Sequence, residues 1–319
     1  MFCFKAIPLG KDGSLKAKTT LGIIFIAILT FRYAVDWLGD RNLWLAETLT
    51  SPHLSRPWVY RQLVPVLARA LASLGIRIDL ALVLVVITAG VGFYLALRSL
   101  AFLFYKQDDQ AEIMIILLVL IGMLIFYDER LPYDLMTACL FTLVLQALAR
   151  SDHRRLLIVF TLACLNRETA FLLIIFHAAV LFLRQDVRQN GFRVLTIQTF
   201  IFCFVQLYLH LVFSENPGSV AWIEPKQNLL QFMDHPHLTI LHGSITSLCL
   251  LLIYKDWTQK PYFLRLALIS MGPPLVLMYL AFGQAFEIRI FWEIYPILGL
   301  LLLPTLCNLR NGFLYPRVL

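Results

Sequence analysis

The sequence predicts an all-α integral membrane protein, and three observations support that prediction. Of the 319 residues, 60% are hydrophobic and only 15% are charged, which is too apolar for a soluble domain. The apolar residues fall into runs of the length that crosses a bilayer core. Basic and acidic loops alternate between these runs, as the positive-inside rule expects. We therefore expect a single membrane domain over residues 1–319, without a separate soluble domain.

The apolar runs predict eight membrane helices outside one ambiguous stretch. They lie at 20–38, 79–104, 111–127, 132–149, 193–213, 238–254, 261–283 and 288–306. Four lysines precede the first run and no small-residue cleavage site follows it, so we expect a retained signal anchor. Trp58–Leu74 is amphipathic, with Arg61 and Arg69 among apolar residues, and this pattern predicts a helix lying in the membrane interface near 58–74.

The ambiguous stretch is 155–184, where two apolar runs flank the polar residues Asn166–Thr169. One continuous helix would be about 40 Å long, which exceeds the bilayer core of about 30 Å and would bury Arg167 and Glu168. The alternative is a hairpin of two short helices with both ends on one membrane face. The hairpin sorts basic loops to one face and acidic loops to the other, so we favour it.

With the hairpin, the prediction is about ten transmembrane helices with both termini in the cytoplasm. The net charge of +7 is then explained by basic cytoplasmic loops. Nucleic acid is not expected as a partner, because no basic patch with interleaved aromatic residues occurs. The six cysteines are widely separated, which predicts packing residues rather than disulfides or a metal cluster. The compactness of the chain suggests a bacterial inner (plasma) membrane.

Two groups of acidic residues are candidate site residues. Arg32 and Asp36 stand one helical turn apart near the outer end of the first helix, with Asp40 one turn later. They are either a structural ion pair or a carboxylate that serves as general base. In the second group, Asp128, Glu129 and Asp134 surround a tight turn before a helix. They either interact with the helix dipole or line an acidic site, for which a divalent cation is the candidate cofactor and the metal ligands are unknown.

Two arginines are candidates for binding an anionic group. Arg167 and Glu168 form either an internal ion pair or a site in which Arg167 contacts a lipid phosphate and Glu168 orients it. Glu287, Arg289 and Glu293 open the predicted last helix, and Arg289 is the second phosphate candidate. His235 and His237 are expected to lie in a surface loop.

Two segments resemble GT-C-fold membrane glycosyltransferases. Residues 130–184 place an Asp at a helix start, then a basic turn, then short helices with an Arg-Glu break. Residues 286–304, FEIRIFWEIYPILGLLLLP, are similar to the closing helix of several such families. The first helix with an acidic residue at its end, followed by a long outer loop with an interfacial helix, is similar as well.

The resemblance implies an enzyme that transfers a sugar from a polyprenyl-phosphate carrier to an acceptor on the extracytoplasmic side. It implies that Asp36 or Asp40 is the catalytic carboxylate and that Arg167 and Arg289 hold the carrier phosphate. The candidate substrate-binding residues are Arg32, Asp128, Glu129, Asp134, Arg167, Glu168, Glu287 and Arg289. The implied partners are the lipid-linked sugar donor, membrane lipids, and a glycan, lipid or protein acceptor.

Two other functions fit the same residues. The buried charges are also typical of a transporter or flippase for an anionic lipid or solute, although the sequence contains no internal repeat that would favour transport. A non-catalytic membrane component of an envelope assembly is the third hypothesis. No P-loop, G-x-S-x-G or H-E-x-x-H pattern occurs, so the enzyme classes that those motifs indicate are not supported.

Overall fold

The computed structural model describes residues 13–39, 42–105, 109–125, 131–183, 188–219, 225–283 and 287–311. Within these ranges the chain is helical and forms no β-strand. The α-helices are α1 (Gly13–Gly39), α2 (Asn42–Thr50), α3 (Leu63–Ala72), α4 (Ile78–Phe104), α5 (Asp109–Ile125), α6 (Asp134–Ala149), α7 (His153–Asn166), α8 (Phe171–Leu183), α9 (Arg188–Val212), α10 (Pro225–Asp234), α11 (Pro236–Tyr254), α12 (Tyr262–Phe282) and α13 (Tyr295–Asn311). Short 3-10 helices occupy Trp58–Tyr60, Glu168–Ala170, Trp257–Gln259 and Ile288–Glu293.

Five of the described helices, namely α1, α4, α9, α11 and α12, are long and apolar enough to cross a membrane. This number is smaller than the ten transmembrane helices that the sequence predicts. Shorter apolar helices include α5, α6, α8 and α13. The difference arises because the other predicted spans, α5, α6, α7, α8 and α13, have only 13 to 17 residues, fewer than the roughly 20 that cross a bilayer core.

Helix α4 lies at the centre of the bundle and packs against α1 and α6. Gly90 allows α1 to approach closely, because a Cβ atom there would lie 2.5 Å from the Oγ1 of Thr30. The Sγ of Cys139 in α6 would lie 3.0 Å from a Cβ at Gly92, so α6 approaches the opposite side of α4. The core around these contacts includes Phe93, which is fully buried.

The ambiguous stretch forms two short helices and not one long one. Helix α7 ends at Asn166, Arg167 has an extended backbone, and a 3-10 turn leads into α8. Helices α7 and α8 both pack against α9. His153 at the start of α7 lies near His177 in the middle of α8. This proximity is the arrangement that a hairpin produces, since a continuous helix would separate these two residues by its own length.

Three further segments differ from the prediction. Helix α2 lies in the long loop after α1, where no helix was predicted. The Trp58–Leu74 segment packs partly on the bundle, because residues 61–65 are buried and α3 contacts α4; its position in the membrane interface stays a prediction. The last helix begins at Tyr295, since Ile288–Glu293 forms a 3-10 helix. Pro296 is therefore the second residue of α13, where proline is tolerated, and not a kink inside the helix.

The segment after α9 is hydrogen-bonded to the segment before α3. The Nδ2 of Asn216 donates to the carbonyl oxygens of Pro52 and Leu54, each at 2.8 Å. The backbone N–H of Arg56 donates to Pro217 O at 2.8 Å. Gly218 follows with φ +98°, and its Cα faces the Arg56 carbonyl so closely that a Cβ would lie 2.6 Å from that oxygen. These contacts hold the chain that leads to Arg61.

Candidate functional site

A cluster of charged side chains lies inside the protein at one end of the bundle. It comprises Arg61, Asp134, Arg167, Glu168, Arg289 and Glu293, and we call it the buried charge cluster. All of its members except Glu168 are buried, and Asp134 and Glu293 are fully buried. Ionisable groups at such depth in a membrane protein are expensive and are candidates for function by default.

Four separate parts of the chain build the buried charge cluster. Arg61 precedes α3, Asp134 begins α6, Arg167 and Glu168 form the break between α7 and α8, and the 3-10 helix Ile288–Glu293 supplies the remaining two. The predicted helix start at Asp134 is confirmed. Because the helix breaks at Arg167, the side chains of Arg167 and Glu168 reach the other members of the cluster. A continuous helix through this stretch would not place both of them there.

Arg167 is the structural centre of the cluster. Its Nη1 lies 3.4 Å from Asp134 Oδ1, and its Nε lies 3.2 Å from Glu293 Oε1. The same Glu293 oxygen accepts a hydrogen bond from Thr169 Oγ1 at 2.8 Å. Removing one partner from such a buried network leaves an uncompensated charge, so we assign Asp134, Arg167 and Glu293 mainly to positioning.

The carboxylate of Asp134 is engaged on both oxygens. Oδ2 accepts the backbone N–H of Leu131 at 2.8 Å, and Oδ1 faces Arg167 and, at 4.0 Å, the Nη1 of Arg289. Both carboxylate oxygens therefore face donors of the protein itself, which leaves neither of them open to a substrate hydroxyl. Asp134 is therefore poorly suited to act as a general base.

Arg61 lies between aromatic rings. Its Cζ is 4.9 Å from the ring centroid of Trp58 and 4.7 Å from that of Tyr133. Its Nη2 lies 3.0 Å from Glu168 Oε1, and the Glu168 side chain is 38% exposed. Arg289 contacts the same indole, with Cζ 5.3 Å from the Trp58 centroid. Trp58 therefore orients two guanidinium groups by cation–π contacts.

Several polar atoms in this part of the cluster have unused hydrogen-bonding capacity. Among the described residues, buried atoms without a hydrogen-bond partner include Arg61 Nε and Nη1, Tyr133 Oη, Arg289 Nη1 and Glu168 Oε2. Most of these atoms are donors on cationic or hydroxyl groups. A buried donor without a partner is costly, so a region that concentrates them is suited to an anionic ligand.

The structure brings together four of the residues that the sequence singled out: Asp134, Arg167, Glu168 and Arg289. Glu287 also belongs beside them, since it pairs with Arg289. Arg167 and Glu168 were predicted as one ion pair or one lipid-phosphate site, but each contacts a different partner in the cluster.

Of the other predicted site residues, only Arg32 has a side chain within the described part of the structure. Arg32 is exposed on α1. Asp36 belongs to α1, but its side chain lies outside the described part of the structure, as do Asp40, Asp128 and Glu129 altogether.

Three residues at this site, Arg61, Tyr133 and Glu293, were not predicted from the sequence. Glu293 was noticed only as part of the last helix. The signal at Arg61 was a charge beside Trp58 and Tyr60 in an amphipathic segment, which was attributed to the membrane interface. Tyr133 directly precedes Asp134, and no local pattern distinguishes it.

The described residues contain no group of three His, Cys, Asp or Glu side chains that is placed to bind a metal ion. His235 and His237 have ring centroids 6.2 Å apart at the start of α11. The carboxylates that the cluster offers are already engaged by arginines, so this part of the chain does not fit the divalent cation considered from the sequence.

No protein-family model, curated protein or solved structure matches this chain. Function must therefore be inferred from the geometry of the buried charge cluster.

Proposed function

We propose that this chain is an integral membrane glycosyltransferase. It transfers a sugar from a polyprenyl-phosphate carrier to an acceptor hydroxyl at the end of the bundle that holds the buried charge cluster. The observation that carries the proposal is the set of guanidinium N–H groups around Trp58 that have no hydrogen-bond partner among the described residues. Arginine binds phosphate oxygens through paired donors, so Arg61 and Arg289 suit a carrier phosphate.

The division of labour within the cluster supports this role. Arg167 is surrounded by Asp134 and Glu293, so its charge is already compensated. Arg61 and Arg289 each retain donors for a ligand, whereas the one nitrogen of Arg167 without a hydrogen bond, Nε, faces the Glu293 carboxylate at 3.2 Å. Donors that are fixed in advance and shielded from water stabilise the negative charge that develops on a leaving phosphate. In this proposal Arg61 joins Arg289 as a phosphate-binding residue, and Arg167 holds the site together.

The proposed reaction uses a carboxylate outside the cluster as the base. Asp134 is engaged by two arginines, so Asp36 or Asp40, at and just beyond the end of α1, takes the acceptor proton. The acceptor oxygen attacks the anomeric carbon, the bond from that carbon to the phosphate oxygen breaks, and the electron pair leaves with the carrier phosphate. Arg61 and Arg289 neutralise that phosphate.

We further propose the finer topology. Helices α1, α4, α5, α6, α9, α11, α12 and α13 each cross once and the α7–α8 hairpin supplies two more segments, with both termini in the cytoplasm of a bacterial cell. The cluster then opens to the outer face of the inner membrane. Maleimide labelling of Ser151→Cys and Ser214→Cys in intact cells tests this arrangement, since only the second is expected to react with an impermeant reagent.

Transport of an anionic lipid or solute is the second candidate function. The observation that favours it is the interruption at Arg167, because broken helices near the membrane midplane often form transport sites. A transporter needs no catalytic carboxylate. Flux of a phosphate-bearing lipid across liposomes, without loss of its sugar, would support this function.

The first experiment is a donor-turnover assay with purified protein and a panel of polyprenyl-phosphate sugars. It compares the wild type with Asp36→Asn, Asp40→Asn and Arg61→Gln. Arg98→Lys is the matched control, because Arg98 lies in a buried ion pair remote from the cluster. We expect the wild type and the control to release carrier phosphate, Arg61→Gln to be impaired, and one aspartate variant to be inactive.

Each failure has a distinct meaning. Turnover that survives both aspartate substitutions would show that the base lies elsewhere. Donor binding without turnover in the wild type, with flux in liposomes, would favour transport. An Arg61→Gln variant with normal donor affinity and turnover would contradict the proposed phosphate site.

A further inference from the structure

A second basic site lies at the opposite end of the molecule, in the segment that joins α11 to α12. Phe263 at the start of α12 stacks on Phe104 at the end of α4, with ring centroids 5.5 Å apart. The buried charge cluster lies toward the beginning of α4, because Tyr133, which precedes Asp134, packs in one core cluster with Ala81 and Leu82. The segment 255–265, KDWTQKPYFLR, contains three basic residues and one acidic residue.

Two of these charged residues are committed to the protein itself. Lys260 is 2% exposed, and its Nζ donates to the carbonyl oxygens of Leu252 at 2.9 Å and Ile253 at 2.6 Å. Asp256 lies close enough to Lys260 to interact with it electrostatically. Lys255 and Arg265 are the basic side chains that remain for a ligand.

Arg265 is held in place but is not neutralised. Its Cζ lies 5.7 Å from the ring centroid of Trp257 and 5.6 Å from that of Tyr262. Its buried Nε has no hydrogen-bond partner, and no acidic side chain pairs with its guanidinium within the described ranges. The first turn of α12 contains no acidic residue either. An oriented guanidinium without a counter-ion is suited to an external anion.

The surface beside Arg265 is apolar and aromatic. Tyr254 is 74% exposed, Tyr262 is 55% exposed, and Leu251 one turn before Tyr254 is 67% exposed. Tyrosine is enriched where a membrane meets water, because its ring is apolar and its hydroxyl group is polar. The unpaired cation therefore lies at the edge of a surface that suits acyl chains.

We propose that Arg265, with Trp257 and Tyr262, binds the phosphate of an anionic phospholipid headgroup. The guanidinium donates to two phosphate oxygens, Lys255 adds a second positive charge, and the acyl chains lie along the exposed faces of α11 and α12. A lipid suits the site better than free phosphate, because the apolar surface adjoins the cation. This site is separate from the proposed glycosyltransferase centre and does not depend on it.

The test is lipid retention by the purified full chain, measured by native mass spectrometry after exposure to phosphatidylglycerol or phosphatidylcholine. We expect the wild type to retain phosphatidylglycerol about fivefold better than phosphatidylcholine. Arg265→Gln should abolish that preference, and Trp257→Leu should weaken it while keeping the charge. Arg154→Gln, which removes an exposed arginine at the same end, is the matched control and should retain the preference. Soluble glycerol phosphate is added as a competitor.

Competition by glycerol phosphate at equal concentration would show a free-phosphate site and would overturn the lipid assignment. Equal loss in Arg154→Gln and Arg265→Gln would show a general charge effect and overturn the site. An unchanged preference for phosphatidylglycerol in Arg265→Gln would also overturn the site. If Arg265→Gln is unfolded by circular dichroism, the Trp257→Leu result decides, since loss of preference is expected there and an unchanged preference contradicts the proposal.

Discussion

Two buried groups of charges at opposite ends of the bundle differ in how completely they are satisfied. Toward the end of α4, Arg98 Nε lies 3.0 and 2.7 Å from the two carboxylate oxygens of Glu112, and Tyr94 donates to the same carboxylate. No buried polar atom of these three side chains lacks a partner among the described residues. In the buried charge cluster, by contrast, Arg61 and Arg289 keep unused donors. The first group resembles a structural ion pair, and the second resembles a binding site.

The largest expected effect is on stability at the satisfied pair. Glu112→Gln should lower the free energy of unfolding by about 3–5 kcal/mol, because it leaves Arg98 buried without its counter-ion. Denaturant titration in mixed micelles measures this loss. The double variant Arg98→Met with Glu112→Leu should recover most of it, and turnover per folded molecule should not change. A double variant as unstable as the single one would contradict the structural assignment.

Arg61→Gln should show the opposite pattern. Turnover of the lipid-linked donor should fall about a hundredfold, as expected when one donor to a developing anion is removed. The free energy of unfolding should fall by only about 1 kcal/mol, because the lost partner Glu168 is partly exposed. Arg61→Lys retains the charge without the paired donors and should be intermediate. Equal losses of stability in Arg61→Gln and Glu112→Gln would contradict the distinction between a binding site at the buried charge cluster and a structural ion pair at Arg98.

A smaller effect should follow from moving the chain that carries Arg61. Gly218→Ala combines a positive φ with a Cβ 2.6 Å from the Arg56 carbonyl oxygen, and should cost about 1–3 kcal/mol of stability. Gly75→Ala is the control, because Gly75 has φ +91° but no atom within 4 Å. The control should cost about 1 kcal/mol and leave turnover intact. Similar turnover in Gly218→Ala and Gly75→Ala would indicate that the contact between Gly218 and Arg56 does not position Arg61.

The last effect is absent at neutral pH and concerns Lys260, a buried cation whose donors are partly satisfied by carbonyl groups. Burial lowers the pKa of Lys260 to about 8 from its ordinary value of 10.5. Between these values the unfolded chain binds a proton that the folded chain does not, so stability should rise with pH from about 8 to about 10.5. Thermal unfolding across that window should show the rise in the wild type and not in Lys260→Met. If the stability of the two proteins changed with pH in the same way, the lowered pKa of Lys260 would be contradicted.

The positions of the helices were largely predictable because they depend on local composition. The described α4, α6 and α12 begin and end within a few residues of the predicted ranges. The break at Arg167 was predictable because Asn166–Thr169 interrupts two apolar runs. Helix α2 was missed, since its sequence NLWLAETLT lies within a loop rich in polar and aromatic residues.

The membership of the cluster was less predictable. Arg61 was assigned to the membrane interface because amphipathic spacing does not reveal which neighbour will cover a charge. Tertiary packing brings Arg61 to Glu168, and it brings Arg167 to Glu293 in the segment before α13. Residues 61–65 are therefore buried against the bundle, which the amphipathic pattern did not predict.

The sequence by itself determined the helical, apolar class of this protein and the location of the interrupted hairpin, because both follow from runs of neighbouring residues. Only the tertiary structure decided which charges meet and which retain unused donors. Ion pairs form between segments distant in the chain, and their geometry depends on how α6, the α7–α8 break and the 3-10 helix before α13 pack together. The distinction between a satisfied pair and a binding site is therefore a property of packing.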